Sequence, residues 1–163
     1  MPSYDMLLAM AQANPDGCGF VSTRHSCKSL DFDEFYEHLR HVRKDENCII
    51  HFRWATHGSV KLTNCHPFHS NGVYFAHNGI LRINPIGDMT DSETAFKTRI
   101  MPKVEKYGLN SLEVKREIES IIGGSKFAIM HQNTLNLYGD FKALDGCYYS
   151  NFNFLYNLRR HVI

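Results

Sequence analysis

Two short apolar runs end abruptly in polar clusters, and this pattern constrains the fold more than any other feature of the chain. Cys48-Ile49-Ile50-His51-Phe52 leads into Arg53-Trp54-Ala55-Thr56-His57-Gly58, and Val73-Tyr74-Phe75-Ala76 leads into His77-Asn78-Gly79-Ile80-Leu81. Compact runs of this kind read as strands. Each strand then delivers polar groups to its C-terminal end, Arg53 at one and His77-Asn78-Gly79 at the other.

Helical patterns lie between and around these strands. Met6, Leu7 and Met10 mark a short helix over Tyr4 to Ala13, followed by the turn signal Asn14-Pro15-Asp16-Gly17 and a strand from Cys18 to Ser22. Phe32, Phe35, Tyr36, Leu39 and Val42 form a helical stripe, with Asp31 as cap and Glu34 as the return half of a capping box. Thr90 and Glu93 make a second box, opening a helix to about Tyr107 that Pro102 kinks or divides. Leu112, Ile118, Ile121 and Ile122 mark another helix, stopped by Gly123-Gly124. Phe127–Met130 and Thr134–Leu137 flank Gln132-Asn133 as a hairpin, and Cys147-Tyr148-Tyr149 adds a strand. With no repeat, linker or low-complexity tract, the expectation is one α+β domain over residues 1–163.

Composition narrows the function classes. A chain of 163 residues, 43% apolar and 21% charged, can bury a core and is not built like a disordered protein. A net charge of +1 gives no field to attract a phosphate backbone, so nucleic acid is not an expected partner. Arg159-Arg160-His161 reads as a solvated basic end. No apolar run reaches the ~20 residues that cross a bilayer, so no membrane is expected. Met1 to Ala13 lacks the basic start and apolar stretch of a secretory signal. Five cysteines, none spaced C-x-x-C, then read as reduced thiols in a cytoplasmic protein.

Taken in order, Arg53-Trp54-Ala55-Thr56-His57-Gly58, Ala76-His77-Asn78-Gly79-Ile80-Leu81 and Thr90-Asp91-Ser92-Glu93 resemble the glutaminase domain of class II glutamine amidotransferases. Asn64-Cys65-His66-Pro67 resembles a further segment of that family. Asn14-Pro15-Asp16-Gly17-x-Gly19, Leu137-Tyr138-Gly139-Asp140 and Tyr149-Ser150-Asn151 resemble parts of its small single-domain members. Each residue alone has a plainer reading. Arginine after a strand is usually a surface or salt-bridged group, Asn-Gly a hairpin turn, Thr90-Asp91-Ser92-Glu93 a helix cap, and Trp54 a core residue. The ordered combination is what points to a site.

A glutamine site must meet three demands. The α-carboxylate suits a guanidinium fork, the α-ammonium suits a carboxylate, and the oxyanion formed on the attacked amide needs pre-placed N–H donors. The resemblance implies that Arg53 holds the carboxylate and Asp91 the α-amino group. It makes the Asn78 amide and the Gly79 N–H the oxyanion hole, with Trp54, Thr56 and His57 shaping the pocket. The implied fold is a four-layer αββα sandwich of mainly antiparallel sheets, as in N-terminal-nucleophile hydrolases. The implied reaction is hydrolysis of the γ-amide of glutamine, or of a related γ-glutamyl amide, through a cysteine thioester. No cofactor is implied. Ammonia passes to a separate acceptor synthase subunit, or the protein works alone as an amidohydrolase.

Two features stand apart from the resemblance. His51, His57, His66, His69 and His77 crowd one stretch with Cys65, but their spacing matches no zinc pattern, and no metal is expected. The family's nucleophile is a cysteine at the chain's first position, whose own α-amine is the base. Here the sequence opens Met1-Pro2-Ser3, and Cys18 is internal, with an amide nitrogen. The family's first strand precedes the helix read at Tyr4 to Ala13 and is not seen. One reading is a shortened copy in which Met1 is an internal methionine. The other is a domain that binds without hydrolysing, inactive as written. Retention of Arg53, Asn78 and Asp91 together favours the first.

Overall fold

The computed structural model describes residues 1–55 and 59–158. In chain order the helices are α1 (Tyr4–Ala13), α2 (Phe32–Leu39), α3 (Asp91–Ala95), α4 (Met101–Tyr107), α5 (Leu112–Ile122) and α6 (Leu155–Leu158). The strands are β1 (Cys18–Ser22), β2 (Ser26–Ser29), β3 (Cys48–Phe52), β4 (Phe68–Ser70), β5 (Val73–Asn78), β6 (Lys126–His131), β7 (Thr134–Tyr138), β8 (Lys142–Leu144) and β9 (Cys147–Tyr149). They group into two compact units, one from Met1–Pro67 with Phe141–Ile163, the other Phe68–Asp140. Every strand pairing among the described residues is antiparallel, so the α+β expectation stands.

The first unit is built on a three-stranded sheet of order β2-β1-β3, with all five residues of the central β1 buried. Helix α1 opens on Ser3, whose hydroxyl accepts the Met6 N–H at 3.3 Å, and α2 opens on Asp31, which accepts the Glu34 N–H at 2.8 Å. The expected return half of the α2 box is relayed rather than direct. The Glu34 carboxylate accepts the Ser29 hydroxyl, and Ser29 Oγ accepts the Asp31 N–H at 2.9 Å. Leu7, Phe20, Phe35, Leu39 and Val42 form the core, with Phe35 edge-on to Phe20 at 5.7 Å and to Phe52 at 5.4 Å. Each such fully buried side chain contributes roughly 1.5–3 kcal/mol. The other side of α1, through Ala9, packs with Tyr149 and Phe154 beside the β8–β9 hairpin.

The second unit has a four-stranded sheet of order β4-β5-β6-β7. Val73, Phe75 and His77 alternate along β5, and their partners on β6 include Ile129 opposite Phe75 and Phe127 opposite His77. This face carries the helices: Phe75 stacks on Phe96 at 5.2 Å and meets Phe127 edge-on at 5.0 Å, with Ile100, Val114 and Ile118 buried in the same core. Side chains alternate along a strand. His77 therefore belongs to the helix-covered face, and Asn78 to the other.

The helix expected from Thr90 to Tyr107 is divided. A π-helical turn, Phe96–Ile100, separates α3 from α4, and Pro102 sits in the first turn of α4. Proline offers no N–H to the carbonyl four residues back, so the wider turn before it absorbs the interruption. No helix of the described residues is long and apolar enough to cross a membrane. The Arg159-Arg160-His161 end lies outside the described residues.

Candidate functional site

Arg53 follows β3 directly and is 6% exposed. Its backbone N–H donates to Gly17 O at 2.7 Å, its carbonyl accepts the Asp16 N–H at 3.0 Å, and Nη1 donates to Ser59 O at 3.3 Å. Asp16 Oδ2 accepts the Ala55 N–H at 2.8 Å, and Asn64 Nδ2 donates to Ser59 O at 2.9 Å. The early turn and the Asn64–Pro67 segment, read separately in the sequence, are thus brought against the arginine. A Cβ on Gly17 would run into Cys65 Sγ, and one on Gly19 into the His66 carbonyl oxygen. Trp54 is exposed (62%) rather than core. Thr56 and His57 lie outside the described residues.

Asn78 ends β5 in the second unit, and Gly79 follows it directly. Gly79 has φ +136°, in the left-handed half of backbone space, and a Cβ there would strike Ser125. Ser125 Oγ donates to Ile80 O at 3.3 Å, so the same serine that excludes a side chain at Gly79 also steadies the next residue. Asp91 opens α3 behind its cap Thr90, whose Oγ1 accepts the Glu93 N–H at 3.1 Å. The Asp91 carboxylate does more than begin a helix. Oδ1 accepts the Ser92 N–H at 2.7 Å and the Ser92 hydroxyl at 3.1 Å, and Oδ2 accepts the Leu81 N–H at 3.1 Å. Asn78, Gly79 and Asp91 are therefore tied to one segment, residues 77–81, inside the second unit.

His77 is 4% exposed, and its Nδ1 lies 2.7 Å from Ser92 Oγ. Burial pushes its pKa down to about 4, partly opposed by the Asp91 charge, so the imidazole is neutral at pH 7. Ser92 and Asp16 stand inside motifs visible in the sequence but received no role there. Ser125 and Ser59 carried no local signal at all.

Four of the thiols are held in their protonated form by their surroundings. All five cysteines are free. Cys18 is pushed up to about 12, by burial first and then by the neighbouring Cys65 and Cys27 thiols. Burial, with Glu46 beside it, pushes Cys48 to about 12 as well, and burial raises Cys27 and Cys65. The thiolate is the reactive form, and these four are thiols at pH 7. Among the described residues, no three His, Cys, Asp or Glu side chains group so as to hold a metal ion.

A family model described as class II glutamine amidotransferases matches residues 34–140. That stretch holds Arg53, Trp54, Asn78, Gly79 and Asp91; the early turn at Asn14–Gly19 and the Tyr149-Ser150-Asn151 segment fall outside it. The glutamine–fructose-6-phosphate aminotransferase (isomerizing) of Rhizobium leguminosarum bv. viciae is 30% identical over 87 residues, which are 47% of this chain and 14% of that protein. The protein of the same name from Xanthomonas campestris pv. campestris is 30% identical over 97 residues, 52% of this chain and 16% of its own length. The one from Mesorhizobium japonicum is 58% identical over 33 residues, 20% of this chain and 5% of that protein. The chain thus matches less than a fifth of the length of these relatives.

Proposed function

The chain belongs to the class II glutamine amidotransferases, and from that premise we propose that residues 1–163 act as one glutaminase-type domain recognising glutamine or a related γ-glutamyl amide. The family's fold class is the α+β sandwich of N-terminal-nucleophile hydrolases, and two antiparallel sheets, each with helices packed on it, agree with it. In this reading Arg53 takes the α-carboxylate, Asp91 the α-ammonium, and Asn78 with the Gly79 N–H the oxyanion. Trp54, Thr56 and His57 shape the surroundings of the amide.

The observation that carries the reading is the state of the segment after β5. Gly79 is held at φ +136° against Ser125, and the Leu81 N–H, two residues on, is fixed by the Asp91 carboxylate. A backbone donor kept free of a side chain and immobilised from both sides suits an oxyanion, because pre-placed dipoles need no reorganisation as charge develops.

The chemistry is attack of a cysteine thiolate on the γ-amide carbonyl, collapse to a thioester with loss of ammonia, and hydrolysis of the thioester to glutamate. The raised thiols of Cys18, Cys27, Cys48 and Cys65 do not suit that attack. The polypeptide of residues 1–163 is accordingly proposed to bind its amino acid without turning it over. Ammonia from a competent form would go to an acceptor synthase, in a cytoplasmic setting that keeps the thiols reduced. Calorimetry with glutamine and glutamate, run beside an ammonia assay, tests the reading. Binding without ammonia release is expected. A folded sample that binds neither amino acid would overturn it.

A further inference from the structure

Two buried side chains that the glutamine reading leaves unused connect its parts. His77 precedes Asn78 on β5, and Ser92 follows Asp91 on α3; they are 4% and 5% exposed. His77 Nδ1 is 2.7 Å from Ser92 Oγ, which is 3.1 Å from Asp91 Oδ1. A serine hydroxyl has one proton to give, and an ionised carboxylate can only accept. The Ser92 proton is therefore aimed at Asp91, and the proton between His77 and Ser92 comes from the imidazole. This selects the neutral tautomer protonated on Nδ1.

The chain of bonds closes on itself. It runs from His77 Nδ1–H to Ser92 Oγ, from Ser92 O–H to Asp91 Oδ1, and from Asp91 Oδ2 to the Leu81 N–H. The backbone from Leu81 through Ile80, Gly79 and Asn78 then leads back to His77. The two oxyanion residues lie inside this ring. A carboxylate has about four lone-pair directions. Among the described residues three are taken, two on Oδ1 and one on Oδ2. The remaining direction is on Oδ2, the oxygen that already holds Leu81.

We propose that His77 and Ser92 are positioning residues that lock the Asn78–Gly79 segment to the Asp91 carboxylate, so that seating a substrate ammonium on Asp91 and presenting the oxyanion donors are one coupled event. The inference rests on the glutamine reading of Asp91, Asn78 and Gly79. Its consequence is a preference for amides that carry a free α-ammonium. Glutaramic acid, which is glutamine without that group, would leave the segment untightened.

Hydrogen exchange of the Leu81 amide, read by NMR against the β6 amides of the same sample, tests the lock. Referencing to β6 removes any change in global stability. Ser92→Ala and His77→Leu are expected to speed Leu81 exchange about tenfold relative to β6. Ser92→Thr keeps the hydroxyl, and His77→Asn keeps an N–H donor near the Nδ1 position, so both should retain protection. Equal Leu81 exchange in all variants would overturn the lock, even if glutamine binds normally. Added glutamine should slow Leu81 exchange further in the wild-type chain and not in Ser92→Ala, and glutaramic acid should slow it in neither. If glutamine fails to bind while the ligand-free pattern holds, the coupling to substrate and the glutamine reading fall together.

Discussion

Ser125 occupies the space that a side chain on Gly79 would need. A Cβ built on Gly79 would lie 2.8 Å from Ser125 Cβ and 3.0 Å from its Cα, with the hydroxyl closer still. The backbone at Gly79, φ +136°, is one that L-residues rarely adopt. Gly79→Ala therefore meets two penalties, conformational strain and overpacking, each about 1–3 kcal/mol. Ser125→Gly in the same chain would remove the hydroxyl and Cβ contacts and leave the 3.0 Å approach to Cα and the strain. Urea unfolding of the single and double variants should show partial recovery; full recovery would mean that the backbone conformation contributes nothing.

Gly19 presents the purely steric version of the same constraint. Its Cβ would collide with the His66 carbonyl oxygen and sit 3.1 Å from the Cys27 carbonyl oxygen, so backbone on two sides would have to move. Gly19→Ala is expected to cost about 3 kcal/mol or more, the upper end for overpacking. Gly124, whose Cβ would meet nothing within 4 Å, is the control, and Gly124→Ala should be close to neutral. Similar melting temperatures for the two variants would contradict this account of the early turn.

Where a residue's fate is decided locally, the sequence was readable. Helix α1 and strands β1 and β3 have the boundaries expected from their apolar runs and flanking turns. Strand β2, Ser-Cys-Lys-Ser, carries no apolar alternation and exists because β1 offers it a pairing edge. Strand β8 is exposed along its length and pairs with β9. The site divides in the same way. Arg53, Asn78, Gly79 and Asp91 stand in recognisable motifs, but the hydrogen bonds that make Asp91 a clamp on Leu81 join elements that meet only after folding. Ser125 could not have been singled out, because its role is to fill the space opposite a glycine far away in the chain.

The buried His77 makes stability depend on pH. Its folded-state pKa of about 4 lies below the ordinary 6.5, so the unfolded chain binds the extra proton between those values. Stability from this group is full above pH 6.5 and is lost as the pH falls towards 4. Between pH 7 and pH 5 the loss is on the order of 2 kcal/mol. His77→Asn should remove that slope while retaining a donor to Ser92. An unchanged slope in urea unfolding at the two pH values would show that other groups produce it.

Arg53 offers a separation of binding from folding. Its guanidinium donates to Ser59 O, but the same carbonyl also accepts from Asn64 Nδ2, so the loop keeps an anchor when the arginine is removed. Its backbone bonds to Gly17 and Asp16 do not depend on the side chain. Arg53→Ala should thus alter the melting temperature modestly and weaken glutamine binding roughly 10- to 100-fold, the scale of a lost charge-assisted pair of hydrogen bonds. Arg53→Lys keeps the charge but not the planar fork, and should recover only part of that loss. Calorimetry on both variants decides the assignment: a lysine variant that binds as tightly as wild type would leave charge alone as the requirement, and an alanine variant that does so would remove Arg53 from the substrate site.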